Sequence, residues 1–237
     1  MRIGLASYRC ENRNTAFNLG QIERGLREAR GRADLLCFGE AFAQGFDALC
    51  WDYEADRETA LSQDSPAFRQ LARWTSQYGV ALLTGYIERA GEALYSSCAV
   101  IANGEILHNY RRVSKGWKEY RRTDAHYREG GETAPFSFMG RSVTIALCGD
   151  LWEDPERFRT DGLLIWPVYV DYTPEEWAAG ETDAYARQAA LAARDALMVN
   201  PIDREPGSRG GAWHFRDGAV IRSLPPDREA ILYVDVD

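Results

Sequence analysis

Cys148 is the side chain of this sequence best placed for covalent chemistry. It ends the apolar run 142–148 and is followed at once by Gly149 and Asp150. Such a run predicts a buried strand that delivers a small thiol to a tight turn, where the sulfur can meet a substrate. A thiol attacks a carbonyl or nitrile carbon only when a neighbouring group makes it a thiolate. The rest of the chain must therefore supply that group.

Two other segments carry charged groups directly after predicted strands. Glu40 follows the apolar run 33–38, and the basic segment NYRRVSKGWKEYRR, residues 109–122, follows a later one. The carboxyl end of a buried strand is where α/β proteins place functional groups. The sequence therefore predicts an acid, a cation and a thiol at the ends of three strands.

The elements that position these groups alternate between strand and helix patterns. Helical spacing covers residues 15–30 and 66–78, the latter with Ser65 as N-cap, and a further helix of about 20 residues is predicted to end near Arg194. Turn dipeptides predict hairpins at Asn103-Gly104, Met139-Gly140 and Asp217-Gly218. We expect one layered α/β domain over residues 1–237.

Composition narrows the classes of function. The chain has 237 residues, 45% of them hydrophobic, and a net charge of −8, which disfavours a nucleic-acid or anionic-membrane partner. We see no apolar stretch of membrane-spanning length and no signal peptide, so a cytoplasmic location is expected. The five cysteines and three histidines show no metal-ligand spacing, and no metal or cofactor is predicted.

The motifs resemble those of carbon–nitrogen hydrolases of the nitrilase superfamily. LLCFGEAFAQGF around Glu40 matches the glutamate motif of that family, and IALCGDLWEDPE around Cys148 matches its cysteine motif. The resemblance covers nearly the whole chain. It implies a four-layer α-β-β-α sandwich of the nitrilase type, with a Glu, a Lys and a Cys that each follow a strand.

The middle motif departs from the family pattern. Where the family has Tyr-Arg-Lys, this chain has Tyr-Arg-Arg, so that Arg112 stands at the lysine position. Arginine can supply a fixed charge but cannot share in proton transfer. Lys115 and Lys118 follow closely, and spacing alone does not choose among the three. We favour Lys118, because Gly116 and Trp117 would let the backbone turn and a ring pack over the lysine stem, with Lys115 next.

The resemblance implies covalent acyl transfer. Glu40 would act as general base, and the lysine, taken as Lys118, would hold the oxyanion together with a backbone N–H near Gly149. Cys148 would form a thioester that water resolves. Asp124 falls near a second acidic residue that orients the lysine in the family.

The implied substrate is a small non-peptide amide, a carbamoyl compound or a nitrile, and the family also implies a homo-oligomer. Loops at the same end of the sheets offer candidate substrate-binding side chains, which are Trp117, His126, Trp152, Tyr169 and Tyr172.

Three other functions remain open. The chain could be a thiol acyltransferase, or a glutaminase unit that supplies ammonia to another domain. It could also be a catalytically impaired nitrilase-fold binding protein. Arg112 favours the impaired protein, whereas intact Glu40 and Cys148 oppose it.

Overall fold

Two six-stranded mixed sheets form the centre of the computed structural model, which describes residues 1–203 and 207–236. The first sheet has the order β12 (Ala230–Asp235), β1 (Arg2–Ser7), β2 (Leu35–Cys37), β3 (Ala81–Ala90), β4 (Ala93–Ala102) and β5 (Glu105–Arg111). The second has the order β11 (Ala219–Leu224), β10 (Arg209–Arg216), β9 (Ala193–Ile202), β8 (Thr160–Pro167), β7 (Arg141–Ile145) and β6 (Phe136–Phe138).

Parallel strands form the middle of each sheet. Strands β1, β2 and β3 run parallel in the first sheet, and β7, β8 and β9 run parallel in the second. The carboxyl ends of parallel strands meet at one edge, which is where open α/β sheets bind ligands. The predicted hairpins at residues 103–104, 139–140 and 217–218 are confirmed by the antiparallel pairs β4–β5, β6–β7 and β10–β11.

Helices cover the outer face of each sheet and complete the predicted four-layer sandwich. The helices are α1 (Thr15–Ala29), α2 (Tyr53–Thr59), α3 (Pro66–Tyr78), α4 (Asp150–Glu153), α5 (Pro174–Glu176) and α6 (Thr182–Ala190). Helices α1 and α3 lie on the first sheet, and α6 lies on the second. The predicted N-cap of α3 is confirmed, because the Ser65 side chain accepts a hydrogen bond from the N–H of Phe68.

The long helix predicted to end near Arg194 is wrong in length and continuity. A π-helical turn, Trp177–Glu181, separates α5 from α6, and Gly180 within it has a φ of 148°. Strand β9 already begins at Ala193. The alanine-rich sequence on both sides of this boundary hides the change from helical to strand spacing.

Three of the five cysteines are packing residues. Cys10, Cys37 and Cys98 are fully buried, and burial raises the pKa of the Cys37 thiol well above its usual range. Such thiols stay protonated and unreactive. Within the described part of the chain, no helix is long and apolar enough to span a membrane.

Candidate active site

Cys148 lies at a strained turn directly after β7. Its φ is +40°, in the left-handed region that non-glycine residues rarely adopt, at a cost of about 1–3 kcal/mol. Hydrogen bonds on both sides fix the turn: the Cys148 N–H donates to the carbonyl of Pro167 at 3.0 Å, and the indole N–H of Trp166 donates to the carbonyl of Cys148 at 2.9 Å. The turn thereby holds Cys148 at the sheet edge, where the residue as a whole is partly exposed.

Glu40 reaches the same place from the other sheet. It follows β2, and its side chain is fully buried. One carboxylate oxygen, Oε1, accepts hydrogen bonds from the Ser96 hydroxyl at 3.0 Å and from Nη1 of Arg112 at 2.8 Å. The other, Oε2, is buried with no hydrogen-bond partner among the described residues. A buried carboxylate oxygen without a hydrogen-bond partner costs folding free energy. It is therefore a candidate position for a bound hydrogen-bond donor.

Arg112 is the cation that meets Glu40. Its side chain is only 4% exposed. Besides Glu40, the guanidinium donates from Nε to the hydroxyl of Ser114 at 2.7 Å and from Nη2 to the carbonyl of Lys115 at 3.0 Å. These bonds use three of the five N–H groups of the guanidinium. The other two N–H groups can donate to a bound, negatively charged oxygen.

The charge of Arg112 is permanent in this setting. Burial lowers the pKa of Arg112, but the negative charges of Glu40 and Asp150 outweigh burial and raise it above its ordinary value. Arg112 is therefore a fixed electrostatic group and not a proton donor.

Gly149 makes room for the guanidinium. A Cβ atom at position 149 would lie 2.4 Å from Nη2 of Arg112 and 3.3 Å from the hydroxyl oxygen of Ser114. The φ of Gly149 is −65°, which any residue adopts, so space rather than backbone conformation requires the glycine. Arginine at position 112 is longer than the lysine of the family pattern, and glycine at position 149 leaves the space that the longer side chain needs.

This fit predicts a coupled effect of two substitutions. Gly149→Ala should lower kcat/KM about 10- to 100-fold, because the new methyl group displaces the guanidinium. In the Arg112→Lys background the same substitution should cost less than about threefold, since lysine has no Nη2 atom. The four rates of the double-mutant cycle are the measurement.

Gly131→Ala is the matched control for this cycle, because a Cβ there meets nothing within 4 Å. An equal loss from Gly149→Ala in both backgrounds would show that Arg112 is not the group displaced.

The Cys148 thiol is protonated at rest. Burial raises its pKa to about 12, the negative charge of Glu40 adds to the increase, and Arg112 opposes it. The sulfur lies 3.6 Å from the carbonyl oxygen of Tyr169, which accepts the thiol hydrogen. Attack on a carbon atom therefore needs a base within the site.

The two lysines of the basic segment lie elsewhere. The ammonium of Lys118 pairs with Glu129 at 3.1 Å and donates to the carbonyl of Tyr127, so these partners, and not Glu40, determine its position. Lys115 has an exposed side chain and contributes only its backbone carbonyl to Arg112. The expectation that Lys118 lies at the site is corrected by this geometry, which places Arg112 there.

Three further predicted residues form a separate group around the 112–130 loop. Asp124 is exposed, and its side-chain partner among the described residues is His126, whose Nδ1 lies 2.9 Å from the carboxylate. His126 stacks on Tyr53 with ring centroids 3.7 Å apart. Trp117 is buried in a small apolar cluster, 6.3 Å from the ring of Tyr127. In the structure these three side chains make packing contacts and contacts within the loop.

The predicted residues after β7 and β8 are closer to Cys148. Tyr169 contributes the carbonyl that faces the thiol, and its ring stacks on Phe46 at 4.2 Å. Trp152 is 45% exposed, and Tyr172 packs edge-on against Trp177 at 5.4 Å. Of the five substrate-binding candidates, Tyr169 is the one whose backbone hydrogen-bonds the sulfur in the described part of the chain.

Sequence reasoning missed the polar residues that hold Glu40, Arg112 and Cys148 in place. Ser96 and Ser114 are buried and bind Glu40 and Arg112, respectively. Asp150 is fully buried behind Cys148. The one signal for Asp150 in the sequence is its place two residues after a strand-end cysteine, whereas nothing distinguishes the two serines from other strand and loop serines.

Comparison with known proteins identifies the family of this chain. The profile of the carbon-nitrogen hydrolase family matches residues 3–157, which include Glu40, Arg112 and Cys148. The chain belongs to the carbon-nitrogen hydrolase family. Across residues 1–203 and 207–236, no group of three His, Cys, Asp or Glu side chains could hold a metal ion.

Solved structures of this family share the fold. A CN-hydrolase superfamily protein from Xanthomonas campestris is 18% identical with a TM-score of 0.78, over 99% of this chain and 89% of that one. A cysteine variant of a nitrilase-superfamily amidase from Nesterenkonia AN1 is 20% identical with a TM-score of 0.78, over 100% of this chain and 92% of that one. These likenesses confirm the α/β sandwich.

Sequence relatives carry several different names. A glutamine-dependent NAD(+) synthetase of Thermotoga maritima is 30% identical over 146 residues, which are 59% of this chain and 24% of that protein. The chain thus matches about a quarter of that relative. An arylacetonitrilase of Aspergillus niger is 23% identical over 90% of this chain and 74% of its own length.

Proposed function

We propose that this chain hydrolyses a small non-peptide amide through a thioester on Cys148, with Glu40 as general base and Arg112 as the fixed cation. The observation that carries the proposal is the buried, unpartnered Oε2 of Glu40 beside a protonated thiol. Proton acceptance by Oε2 gives this oxygen the partner that it lacks.

Charge conservation explains why the base has to be internal. The buried site holds one cation, Arg112, and two carboxylates, Glu40 and Asp150. Loss of the thiol proton to water would add a further buried negative charge, which the raised pKa of Cys148 reflects. Transfer of that proton to Glu40 leaves the total charge of the site unchanged.

The proposed reaction has two halves. Cys148 attacks the amide carbon while its proton passes to Glu40, and the oxyanion is held by the remaining N–H groups of Arg112 and a backbone N–H near Gly149. Glu40 then protonates the leaving amine, and ammonia or an amine departs as the thioester forms. In the second half Glu40 takes a proton from water, the hydroxide attacks the thioester, and the proton returns to sulfur.

Relatives suggest which substrates to test first. The amidase and arylacetonitrilase named above favour a small amide or an aryl-substituted nitrile. A second candidate is glutamine hydrolysis that supplies ammonia to a partner, which the local similarity to the glutamine-dependent NAD(+) synthetase favours. Homo-oligomeric assembly and a cytoplasmic location stay predictions.

A panel of acetamide, phenylacetamide, phenylacetonitrile, a carbamoyl amine and L-glutamine tests the proposal. We expect ammonia release from at least one amide, and preferential release from L-glutamine would support the second candidate. A protein that consumes none of these and carries no acyl group on Cys148 by intact mass would be a binding protein, and the hydrolase proposal would fail.

Glu40→Gln should separate the basic role of Glu40 from its effect on the thiol. Turnover should fall about 100- to 1,000-fold, because the proton acceptor is gone. The pKa of Cys148 should fall, since the carboxylate that raises it has been removed and Arg112 is no longer neutralised.

The measurement is thiolate absorbance at 240 nm between pH 6 and 10, read against Cys148→Ala at each pH. Wild type should show little thiolate in this range and Glu40→Gln should show more. Equal thiolate content in the two proteins would contradict the electrostatic coupling.

A further inference from the structure

Asp150 joins the nucleophile to the cation through one buried carboxylate. Its Oδ2 accepts hydrogen bonds from the hydroxyl of Tyr110 at 2.5 Å and from the N–H of Leu147 at 2.7 Å. Its Oδ1 accepts from the N–H of Ser114 at 2.8 Å and from that of Val113 at 3.2 Å. All four partners are donors, so the carboxylate acts only as an acceptor.

These four donors belong to the segments that build the site. Leu147 immediately precedes the nucleophile, and its N–H fixes one side of the strained turn. Tyr110 lies near the end of β5, two residues before Arg112, and Ser114 lies two residues after it. The hydroxyl of Ser114 in turn accepts from Nε of Arg112 at 2.7 Å. Asp150 thus holds the backbone that follows the cation and, before the cation, the side chain of Tyr110.

We propose that Asp150 is a positioning residue that sets the separation between Cys148 and the guanidinium of Arg112. It touches no reacting atom, and its effect passes through the N–H groups of Leu147 and Ser114. The buried environment strengthens these charge-assisted bonds, because little water competes for them. Without the carboxylate, the backbone of the loop that follows β5 and the backbone of the cysteine turn lose an acceptor that they share.

Asp150→Asn is the test, with Asp56→Asn as the matched control. The amide keeps the shape of Asp150 but presents an NH₂ group to N–H donors. Asp56 is also fully buried and accepts from the N–H groups of Cys50 and Trp51 and from the hydroxyl of Tyr127, none of which belongs to the cysteine turn or lies beside Arg112. Asp150→Asn should lower kcat about 100-fold with KM changed less than threefold, as expected for a misplaced reacting pair. Asp56→Asn should keep kcat per titratable Cys148 within about threefold of wild type.

A role in stability alone gives a different result. Asp150→Asn would then lower the midpoint of thermal unfolding while kcat per titratable Cys148 stayed at the wild-type value, and that outcome overturns the proposal. If Asp150→Asn does not fold, Asp150→Glu keeps the charge and moves the carboxylate. Failure of both variants to fold would make Asp150 a folding residue and would likewise reject the positioning role.

The turnover readout rests on the proposed function, but a second readout does not. Alkylation of Cys148 by iodoacetamide at pH 8, followed by peptide mass, reports the thiolate fraction of Cys148, and through it the influence of Arg112, in the absence of any substrate. Asp150→Asn should slow it about 10-fold, because Arg112 lowers the thiol pKa and its displacement removes that effect. An unchanged rate overturns the positioning role even if no amide is hydrolysed, whereas a slowed rate without turnover rejects only the hydrolase.

Discussion

Replacement of Cys148 by alanine should lower amide hydrolysis at least about 10,000-fold, to the background of the assay. The sulfur is the only atom of the proposed triad that bonds to substrate carbon. Glu40 and Arg112 are buried and paired with each other at 2.8 Å, so neither is a free nucleophile. Ammonia release by the purified variants, with the best amide of the panel, is the measurement.

Cys50→Ala is the control for this variant. Cys50 is also partly buried and free, but its thiol donates to Asp56 at 3.3 Å, away from Glu40 and Arg112. It should keep wild-type activity. Hydrolysis that survives Cys148→Ala, or is lost in Cys50→Ala, would contradict the assignment of the nucleophile.

Arg112→Gln should lower kcat/KM about 100- to 1,000-fold, the effect of removing a preorganised oxyanion donor. The glutamine keeps a polar group but loses the charge, and it leaves the carboxylate of Glu40 without its ion pair. A buried charge that loses its partner destabilises a protein by about 3–5 kcal/mol, so rates must be expressed per folded, titratable Cys148. Arg112→Lys keeps the charge and should retain more activity than Arg112→Gln.

Variants of two other basic residues, Arg111 and Lys118, test whether the effect is specific to Arg112. Arg111 points to the opposite face of β5 and pairs with the buried Glu88 at 2.8 Å, so Arg111→Gln should reduce stability while kcat stays near wild type. Lys118→Gln tests the cation that the sequence favoured. A large loss in Lys118→Gln together with wild-type rates in Arg112→Gln would restore Lys118 and reject Arg112.

The acid and the thiol could be predicted because their signal is local. Glu40 and Cys148 each follow a short buried run, and the carboxyl ends of such strands share one edge of the fold. The hairpins and helix α3 were equally accessible, since Asn103-Gly104 and Ser65-Pro66 encode their own turn and cap.

The spacing of the basic residues along the chain could not identify the cation, because the positions of Lys115 and Lys118 depend on how a loop of about 20 residues folds. Lys118 is neutralised by Glu129, which lies 11 residues further along the chain, and no local sequence pattern predicts that ion pair. A usable signal did exist in the alternation of β5. Tyr110 faces the core between the sheets, so Arg112, two residues on, faces the same way and Arg111 faces outward.

The fit between Gly149 and Arg112 could not be predicted from the sequence either. It rests on a contact between residues 37 positions apart, and it becomes visible only once a side chain is placed at position 149. The four bonds of Asp150 are similar, because they join three segments whose approach is a property of the sandwich and not of any one strand.

The most direct test of the covalent mechanism is the partition of the acyl group between water and hydroxylamine. The best amide of the panel and the ethyl ester of the same acid should pass through one thioester on Cys148. Both should therefore give the same ratio of hydroxamate to acid at each hydroxylamine concentration, and Cys148→Ala should form no hydroxamate. Ratios that differ between the amide and the ester, or hydroxamate formation without Cys148, would contradict a common acyl-enzyme.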